Sequence, residues 1–428
     1  MNKVDRSILN FVVMAHATVH IFELSIPIFV LIWLLEFNTT PAIIGLTVTV
    51  GYGLFGLGSL PSGILADHIS SKKLILLCLF GMATSFYMLS ISSSLITIAL
   101  ALFVWGSAAS IYHPTGLSLI SRKVKSMGTV YAYHGIAGNI GTALGPIATI
   151  LLLAYFDWRH VAAILATLSL FVAILSSQLK IEDTFSGPID TKNLASSNTL
   201  QQTSHNIKSL LKNLASSDTL QQSSHNIKFL LSGVFLLIFV LVVSYGFYYR
   251  SILTFLPVVL SLLQTDPISL IGFSFAIPSN YFYAGILMVG ALGQYAAGKI
   301  SDHFKPELPL LIGYFALALL ALLFLPAVQS GVIIFALFGV ALGFFLFYIQ
   351  PLQATLIGLH TPEKTRGLSF GITFTGVYGI GAIGATVAGV ILTYYSPSVL
   401  FATLAVVMLF ASSLIYMIKK SKYPDLIS

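Results

Sequence analysis

The chain has 428 residues, of which 57% are hydrophobic and only 8% are charged, and it carries a formal net charge of +7. Soluble domains contain about 25% charged residues, so this composition excludes a water-soluble fold. The single cysteine excludes an intrachain disulfide and a cysteine-based metal cluster.

Apolar runs long enough to cross a bilayer follow one another along the chain, interrupted by one polar gap. A transmembrane helix needs about 20 apolar residues, and runs of this length fit helices rather than barrel strands. The first run is too long for the core of a signal peptide. The sequence predicts an all-α membrane protein with twelve transmembrane helices. The predicted spans are 8–35, 41–66, 74–92, 95–121, 127–155, 158–180, 229–260, 268–298, 308–326, 330–358, 367–395 and 397–418.

The positions of Lys and Arg predict how these helices are oriented. If both termini and the even-numbered loops face the cytoplasm, all of the 21 basic residues except Arg159 and Arg250 lie on the cytoplasmic side. This bias follows the positive-inside rule and indicates an even number of spans. The bias accounts for the positive net charge, so that charge does not indicate a nucleic-acid partner. The short loops and the absence of organelle signals favour a multi-pass protein of the plasma (inner) membrane.

The polar gap, 181–228, separates two segments of similar length and contains a tandem duplication. NLASSNTLQQTSHNIKSLLK, at 193–212, recurs with few changes from residue 213. The repeat is either a regulatory docking segment or a slippage duplication in a tolerant linker, and the polar composition favours the second interpretation. We therefore predict an N-terminal bundle at 1–180, a cytoplasmic linker at 181–228 and a C-terminal bundle at 229–428.

A second and deeper repeat relates the two predicted bundles. VVMAHATVHIFELSIP, at 12–27, aligns with VVSYGFYYRSILTFLP, at 242–257, so that His20 coincides with Arg250. GILADHISSKK follows the second span and GKISDHFK follows the eighth. Two halves related in this way are typical of a transporter that exposes a site between them alternately to each side of the membrane.

These motifs resemble the major facilitator superfamily, whose signature loop joins the second and third helices. The resemblance implies two pseudo-symmetric six-helix bundles, the major facilitator fold. It also implies a gating role for the loop positions, which are Gly63, Asp67, Lys72, Lys73 and, in the second copy, Asp302.

Within the superfamily, four stretches are similar to the fosmidomycin-resistance group. They are SIYHPTGLSLISR (110–122), GIAGNIGTALGP (135–146), YRSILTFLP (249–257) and RGLSFGITFTGVYGIGAIGATVAG (366–389). GTALGP also resembles the fifth-helix signature of drug/proton antiporters, although small residues pack many membrane helix interfaces. The resemblance implies proton-coupled efflux.

Two charged residues lie well inside predicted spans, Glu23 in the first and Arg250 in the seventh. An ionised group in the hydrocarbon region costs at least about 2.5–3.5 kcal/mol, so each needs a partner, a wet cavity or a proton. His16, His20 and Glu23 share one helical face through their i, i+4, i+7 spacing. We predict that these three couple transport to protons and that Arg250 binds an anion through its planar guanidinium. The alternative is a structural Glu23–Arg250 ion pair.

Four further residues are weaker candidates for substrate binding. His113 precedes a proline that bends the fourth helix, and it serves either as a cavity ligand or as a neutral packed histidine. His134, Tyr249 and Gln350 offer hydrogen bonds to a substrate, but polar residues of these types also join membrane helices to one another.

The sequence contains no G-x-x-x-x-G-K-[ST] loop and no catalytic or metal-ligand spacing, so we expect neither an enzyme nor an ATP-driven pump. The expected driving force is the proton gradient, without a cofactor or metal. The expected partners are a small-molecule substrate and membrane lipid, and we take the protein to be a monomer. The leading hypothesis is proton-coupled export of a small anionic or amphiphilic compound by alternating access. The alternatives are an importer or exchanger of organic anions and a non-transporting membrane scaffold or sensor.

Overall fold

The structure, a computed structural model, is almost entirely helical. The predicted linker lies outside the described residues, apart from residue 181, and so does the side chain of Asp67. The described residues are 1–125, 127–181, 233–263, 268–270, 273–275, 279–361 and 366–420.

The helices vary in length, and in three places consecutive helices form one interrupted rod. In chain order they are α1 (Lys3–Glu36), α2 (Pro41–Leu57), α3 (Ser59–His68), α4 (Ser71–Ser90), α5 (Leu95–Ala109), α6 (Tyr112–Lys123), α7 (Met127–Leu153), α8 (Trp158–Gln178), α9 (Gly233–Leu262), α10 (Ser279–Ser301), α11 (Glu307–Gln329), α12 (Val332–Leu359), α13 (Arg366–Phe374), α14 (Ile383–Tyr394) and α15 (Pro397–Lys420). A π-helical segment, Thr375–Ile380, joins α13 to α14.

Within the described ranges, eleven helical stretches are long and apolar enough to cross a membrane. Three of them are interrupted rods, formed by α2 with α3, α5 with α6, and α13 with the π-helical segment and α14. The prediction of an all-α membrane protein is confirmed.

The predicted eighth span was wrong at its start. Residues 268–275 contain two short strands, β1 (Ile268–Leu270) and β2 (Phe273–Phe275), which pair antiparallel with Ile268 opposite Phe275. Apolar residues alternate with Ser269 and Ser274 in these strands, a period of two that favours a strand over a helix. Helix α10 begins only at Ser279 and is not among the eleven apolar stretches.

The break between α5 and α6 has a local cause. Pro114 has no backbone N–H to donate to the carbonyl of Ser110, so the regular hydrogen-bond ladder is interrupted there. Helix α5 ends at Ala109 and α6 begins at Tyr112. The π-helical segment is a comparable interruption, in which the N–H of Gly381 donates to the carbonyl of Gly376 at 2.8 Å. Such bulges inside helices occur frequently at functional sites.

Helices α2 and α14 are in direct contact at one end of the molecule. A Cβ on Gly45 of α2 would lie 2.5 Å from the carbonyl oxygen of Ala385 in α14, so the two backbones are in direct contact. The N–H of Ala42 also donates to Thr393 Oγ1 at 2.9 Å. We call this end, where α2 begins and α14 ends, the closed end.

Candidate functional site

A buried ion pair connects α1 with α9. Arg250 Nη2 donates to Glu23 Oε1, and both side chains are 1% exposed. The Arg250 guanidinium also lies 3.9 Å above the ring of Tyr52 in α2, a cation–π contact. Tyr249 and Tyr378 place their rings 5.5 Å and 5.8 Å from the same guanidinium carbon. A charge pair at this depth is stable only because each group has close partners.

Glu23 begins a chain of hydrogen bonds that runs back along α1. Its Oε2 atom lies 2.8 Å from His20 Nδ1, and His20 Nε2 lies 3.1 Å from His16 Nε2. His16 Nδ1 in turn lies 2.7 Å from the backbone carbonyl oxygen of His134 in α7. We call Glu23, His20, His16 and this carbonyl the histidine chain. The i, i+4, i+7 spacing along α1 is what brings the three side chains into line.

Two more histidines surround the chain. The ring of His134 stacks on His16 with centroids 3.8 Å apart, and its Nε2 atom is buried without a hydrogen-bond partner. His113, at the start of α6, lies 5.2 Å from His16 and 5.5 Å from His20 between ring centroids. One ring nitrogen from each of His16, His20 and His113 lies within 4.8 Å of the others, a spacing compatible with a metal ion.

A cavity of about 170 Å³ lies on the other side of Arg250, away from the closed end. The residues of α9 that line the cavity come before Arg250 in the chain. Ser251, which follows Arg250, contacts α14 on the side of the closed end. Its lining side chains are apolar, aromatic, amide or hydroxyl groups without a formal charge. They include Tyr245 of α9, Gln350 and Gln353 of α12, Thr373 and Phe374 of α13, and Tyr378 of the π-helical segment.

The polar groups of this cavity are held by their neighbours. Gln353 Nε2 donates to the hydroxyl of Tyr314 at 2.6 Å, and Gln350 Oε1 accepts from Gln294 Nε2 at 2.8 Å. The hydroxyl of Tyr245 donates to the carbonyl oxygen of Leu346 at 2.6 Å. A site of this composition can bind an uncharged or amphiphilic molecule by stacking and hydrogen bonding.

The structure separates the predicted binding residues into three places. His113 and His134 lie beside the histidine chain, and Tyr249 is packed against Arg250 without lining the cavity. Gln350 lines the cavity. The sequence interpretation missed Tyr52, Tyr378 and Gln353. Only Gln353 had a usable signal, because it follows Gln350 by three residues in an otherwise apolar helix and so shares its face.

Most of the predicted gating positions lie near the ends of helices. Lys72 Nζ donates to the carbonyl oxygens of Ser177 and Leu179, at 2.8 Å and 2.7 Å, where α8 ends. A cation there interacts favourably with the helix C-terminus. Lys73 and Asp302 are exposed, and Gly63 lies inside α3.

Comparison with known proteins identifies the class to which this fold and site belong. Residues 13–381 match the Major Facilitator Superfamily, and the chain belongs to that superfamily. It is a multi-pass membrane transporter and not an enzyme.

Solved structures of transporters are similar over nearly the whole chain. One is a bacterial homologue of the human lysosomal transporter Spinster in an inward-facing and occupied conformation, with a TM-score of 0.73, 14% identity, and coverage of 99% of this chain and 98% of that one. Another is a POT family transporter in complex with 5-aminolevulinic acid, with a TM-score of 0.73, 15% identity, and coverage of 97% and 96%. At these identities the likeness establishes the fold alone.

A relative from Helicobacter acinonychis (strain Sheeba), described as a "Probable sugar efflux transporter", is 30% identical over 154 residues. The match covers 34% of this chain and 37% of that protein, so the chain spans little more than a third of the relative's length.

Proposed function

We propose that this transporter exports a small amphiphilic or anionic compound in exchange for protons, by alternating access and without a cofactor. The observation that carries the proposal is the buried Glu23–Arg250 ion pair between α1 and α9, which is extended by His20 into a chain of titratable groups. The proposal places the protein in the plasma membrane as a monomer with both termini in the cytoplasm. The motifs similar to the fosmidomycin-resistance group support efflux, as does the name of the Helicobacter relative.

Alternating access is supported by the position of the cavity relative to the closed end. The backbones of α2 and α14 are in contact at the closed end, and the cavity lies on the other side of Arg250, where α2 still touches the π-helical segment at Gly56 and Gly379. Opening the closed end requires α2 to part from α14. The same movement pulls α1 from α9, which strains the ion pair between them.

A proton is the natural compensating charge for that movement. Breaking a buried ion pair leaves an unpaired charge, at a cost of about 3–5 kcal/mol. A proton passed from His20 to Glu23 neutralises the carboxylate when Arg250 withdraws. Proton movement and the change of access then become parts of one cycle.

A second candidate is import of an organic anion together with a proton. The positive charge of Arg250 favours this candidate, because it attracts an anion. A proton held by the neighbouring histidines adds positive charge and so strengthens anion binding nearby. In exchange, protons and substrate move in opposite directions, whereas in cotransport they move in the same direction.

Liposomes that contain the purified protein and a pH dye distinguish these functions. Neutral, amphiphilic and anionic drugs, sugars and metabolites are added in turn, and proton movement is recorded. Exchange predicts proton movement opposite to that of the substrate, and loss of it in Glu23→Gln. Movement in the same direction supports cotransport, and unchanged coupling in Glu23→Gln removes Glu23 from the proton pathway.

Arg250→Lys tests the substrate class in the same vesicles. A lysine keeps the charge but loses the planar fork that binds an anion through two hydrogen bonds. We expect weaker transport of anions and unchanged transport of neutral compounds. An equal loss for both classes would assign Arg250 a structural role.

A further inference from the structure

The histidine chain contains more hydrogen-bonded contacts than two neutral histidines can supply with protons. Its three contacts are Glu23–His20, His20–His16 and His16 to the carbonyl of His134. Each contact needs one proton between its two heavy atoms. A neutral imidazole carries one N–H, so His16 and His20 together supply two protons for three contacts.

The contact between His20 and His16 is the one that lacks a proton. A carbonyl oxygen only accepts, so His16 Nδ1 carries a proton and donates it to His134. The Glu23 carboxylate, which already accepts from Arg250, accepts from His20 Nδ1 as well. If each neutral ring carries its one proton on Nδ1, neither Nε2 atom has a proton. Two lone pairs then face each other across the 3.1 Å between the Nε2 atoms. That arrangement is repulsive unless a proton lies between them.

The shortage does not depend on which group holds each proton. If Glu23 were protonated and donated to His20 Nδ1, then His20 Nε2 would donate to His16, and the chain would again contain three protons. We infer that this conformation is the proton-loaded state of the transporter, with one excess proton shared along Glu23, His20 and His16. The inference rests on the proposed function, because it identifies where the coupled proton resides.

Groups from five helices face this proton. They are Glu23 on α1, Tyr52 on α2, Tyr112 and His113 on α6, His134 on α7 and Arg250 on α9, apart from the two histidines themselves. Tyr112 stacks on His16 at 5.3 Å between centroids, and its hydroxyl donates to the carbonyl of Val12. Tyr52 donates to the backbone carbonyl of Glu23 at 3.2 Å. The carboxylate of Glu23 is the balancing negative charge, and it lies directly on the chain.

The packing around His16 keeps the two rings in contact. A Cβ on Gly138 of α7 would lie 2.4 Å from His16 Cε1, so a glycine is needed there for the ring to occupy its place. His134, also on α7, stacks on the ring of His16. When the proton leaves, the lone pairs repel, and His20 is free to turn towards His113, which lies 5.5 Å away. Loss of the proton thereby loosens the α1 face that contacts α9.

Solid-state NMR of the full-length protein in bilayers, with histidine rings labelled with ¹⁵N, tests the inference without a substrate. We expect a correlation across an N–H–N hydrogen bond between two histidine Nε2 atoms. The correlation should disappear in His16→Gln and in His20→Gln, and it should persist in His113→Gln, which removes a neighbouring ring outside the chain. Thermal unfolding of each variant verifies that it is folded, and Gly138→Ala offers a second way to displace His16.

Three results would overturn the inference. The first is the absence of the correlation from the folded wild type, and the second is its survival in His16→Gln. The third is a stoichiometric metal ion in the purified protein that is lost in His113→Gln, because a metal rather than a proton would then bridge the rings. A wild type that exchanges protons for substrate but lacks the correlation contradicts this inference and leaves the proposed function intact.

Discussion

Helices α1–α8 and helices α9–α15 are joined by the Glu23–Arg250 ion pair, among other contacts, but they bring different chemistry to it. The first group contributes Glu23 and four histidines, of which His20, His113 and His134 all make ring contacts with His16. The second contributes Arg250 and a cavity whose lining carries no formal charge. Under the proposed function, proton handling and substrate binding therefore occupy separate regions, which communicate through Arg250.

The two helices that carry this pair are related by the internal repeat, which makes their divergence informative. Both contain a proline near the same place, Pro27 in α1 and Pro257 in α9. At the repeat positions of His16 and Glu23, however, α9 has Gly246 and Leu253. The common sequence preserves the proline of the helix, whereas the histidine and the glutamate at these two positions are present in only one copy.

Breaking the ion pair is expected to have the largest effect. Glu23→Gln or Arg250→Leu alone leaves a buried charge without its partner, and should lower the free energy of unfolding by about 3–5 kcal/mol. The double variant Glu23→Gln with Arg250→Gln removes both charges and should recover most of that loss. Denaturant unfolding in detergent micelles measures each value.

A second ion pair provides the matched control. Arg159 Nη2 lies 2.7 Å from Glu36 Oε1, and both side chains are about one-third exposed. Such pairs contribute about 0.2–1 kcal/mol, so Glu36→Gln should have a small effect. Equal losses in Glu23→Gln and Glu36→Gln would contradict the claim that the central pair is special.

A pair of glycines on α7 tests whether the position of His16 matters for the proton. Gly138→Ala would push a methyl group into the His16 ring, at a cost of about 1–3 kcal/mol for overpacking. Separation of His16 from His20 should also reduce proton flux at least about tenfold, which corresponds to about 1.4 kcal/mol. A pH dye in liposomes measures the flux.

Gly135, one turn earlier, has no atom within 4 Å of the position that a Cβ would take. Gly135→Ala should therefore leave flux unchanged and can raise stability, since alanine favours a helix over glycine by about 1 kcal/mol. A flux that falls equally in both variants would show that α7 tolerates no methyl group, and that His16 is not the cause.

A small effect, on stability alone, is expected outside the membrane, at the start of α8. Asp157 caps this helix by accepting from the backbone N–H groups of Arg159 and His160, at 2.9 Å and 3.1 Å. Asp157→Ala should cost about 1 kcal/mol of stability, while Asp157→Asn keeps a cap. Transport should be unchanged in both.

The same cap has a defined pH dependence. The backbone N–H of His160 is the main cause that holds the pKa of Asp157 below its ordinary value. The stabilisation is therefore complete above the ordinary pKa and is lost as the pH falls through the lowered one. Thermal unfolding at acidic pH should show this loss in the wild type and not in Asp157→Asn. An identical acid dependence in both proteins would refute the assignment.

Much of the fold follows from the sequence because lipid leaves the backbone few alternatives. Long apolar runs must form helices, and Pro114 marks the break between α5 and α6. The predicted start of the eighth span was wrong because hydropathy alone does not distinguish a strand with alternating apolar residues from a helix. The residues Ile268–Phe275 are apolar enough for either, and only their period of two distinguishes them.

The site was predictable only where charge made a residue conspicuous. Glu23 and Arg250 stood out because ionised groups inside a span are costly. Tyr52 and Tyr378 did not, because a tyrosine in an apolar helix has the same local pattern whether it packs, stacks on a guanidinium or lines a cavity. Their roles depend on contacts with helices that are distant along the chain, such as that of Arg250 over Tyr52.

The division of tasks between the two regions is tested most directly by counting protons and substrate together in the same vesicles. His16→Gln should abolish the proton flux and leave substrate counterflow in the absence of a pH gradient. Gln353→Leu, in the cavity, should weaken substrate transport about fivefold and leave the number of protons per substrate unchanged, since one lost hydrogen bond is worth about 1 kcal/mol. If both variants instead lose proton and substrate movement in equal proportion, the two regions are one inseparable site and the account is wrong.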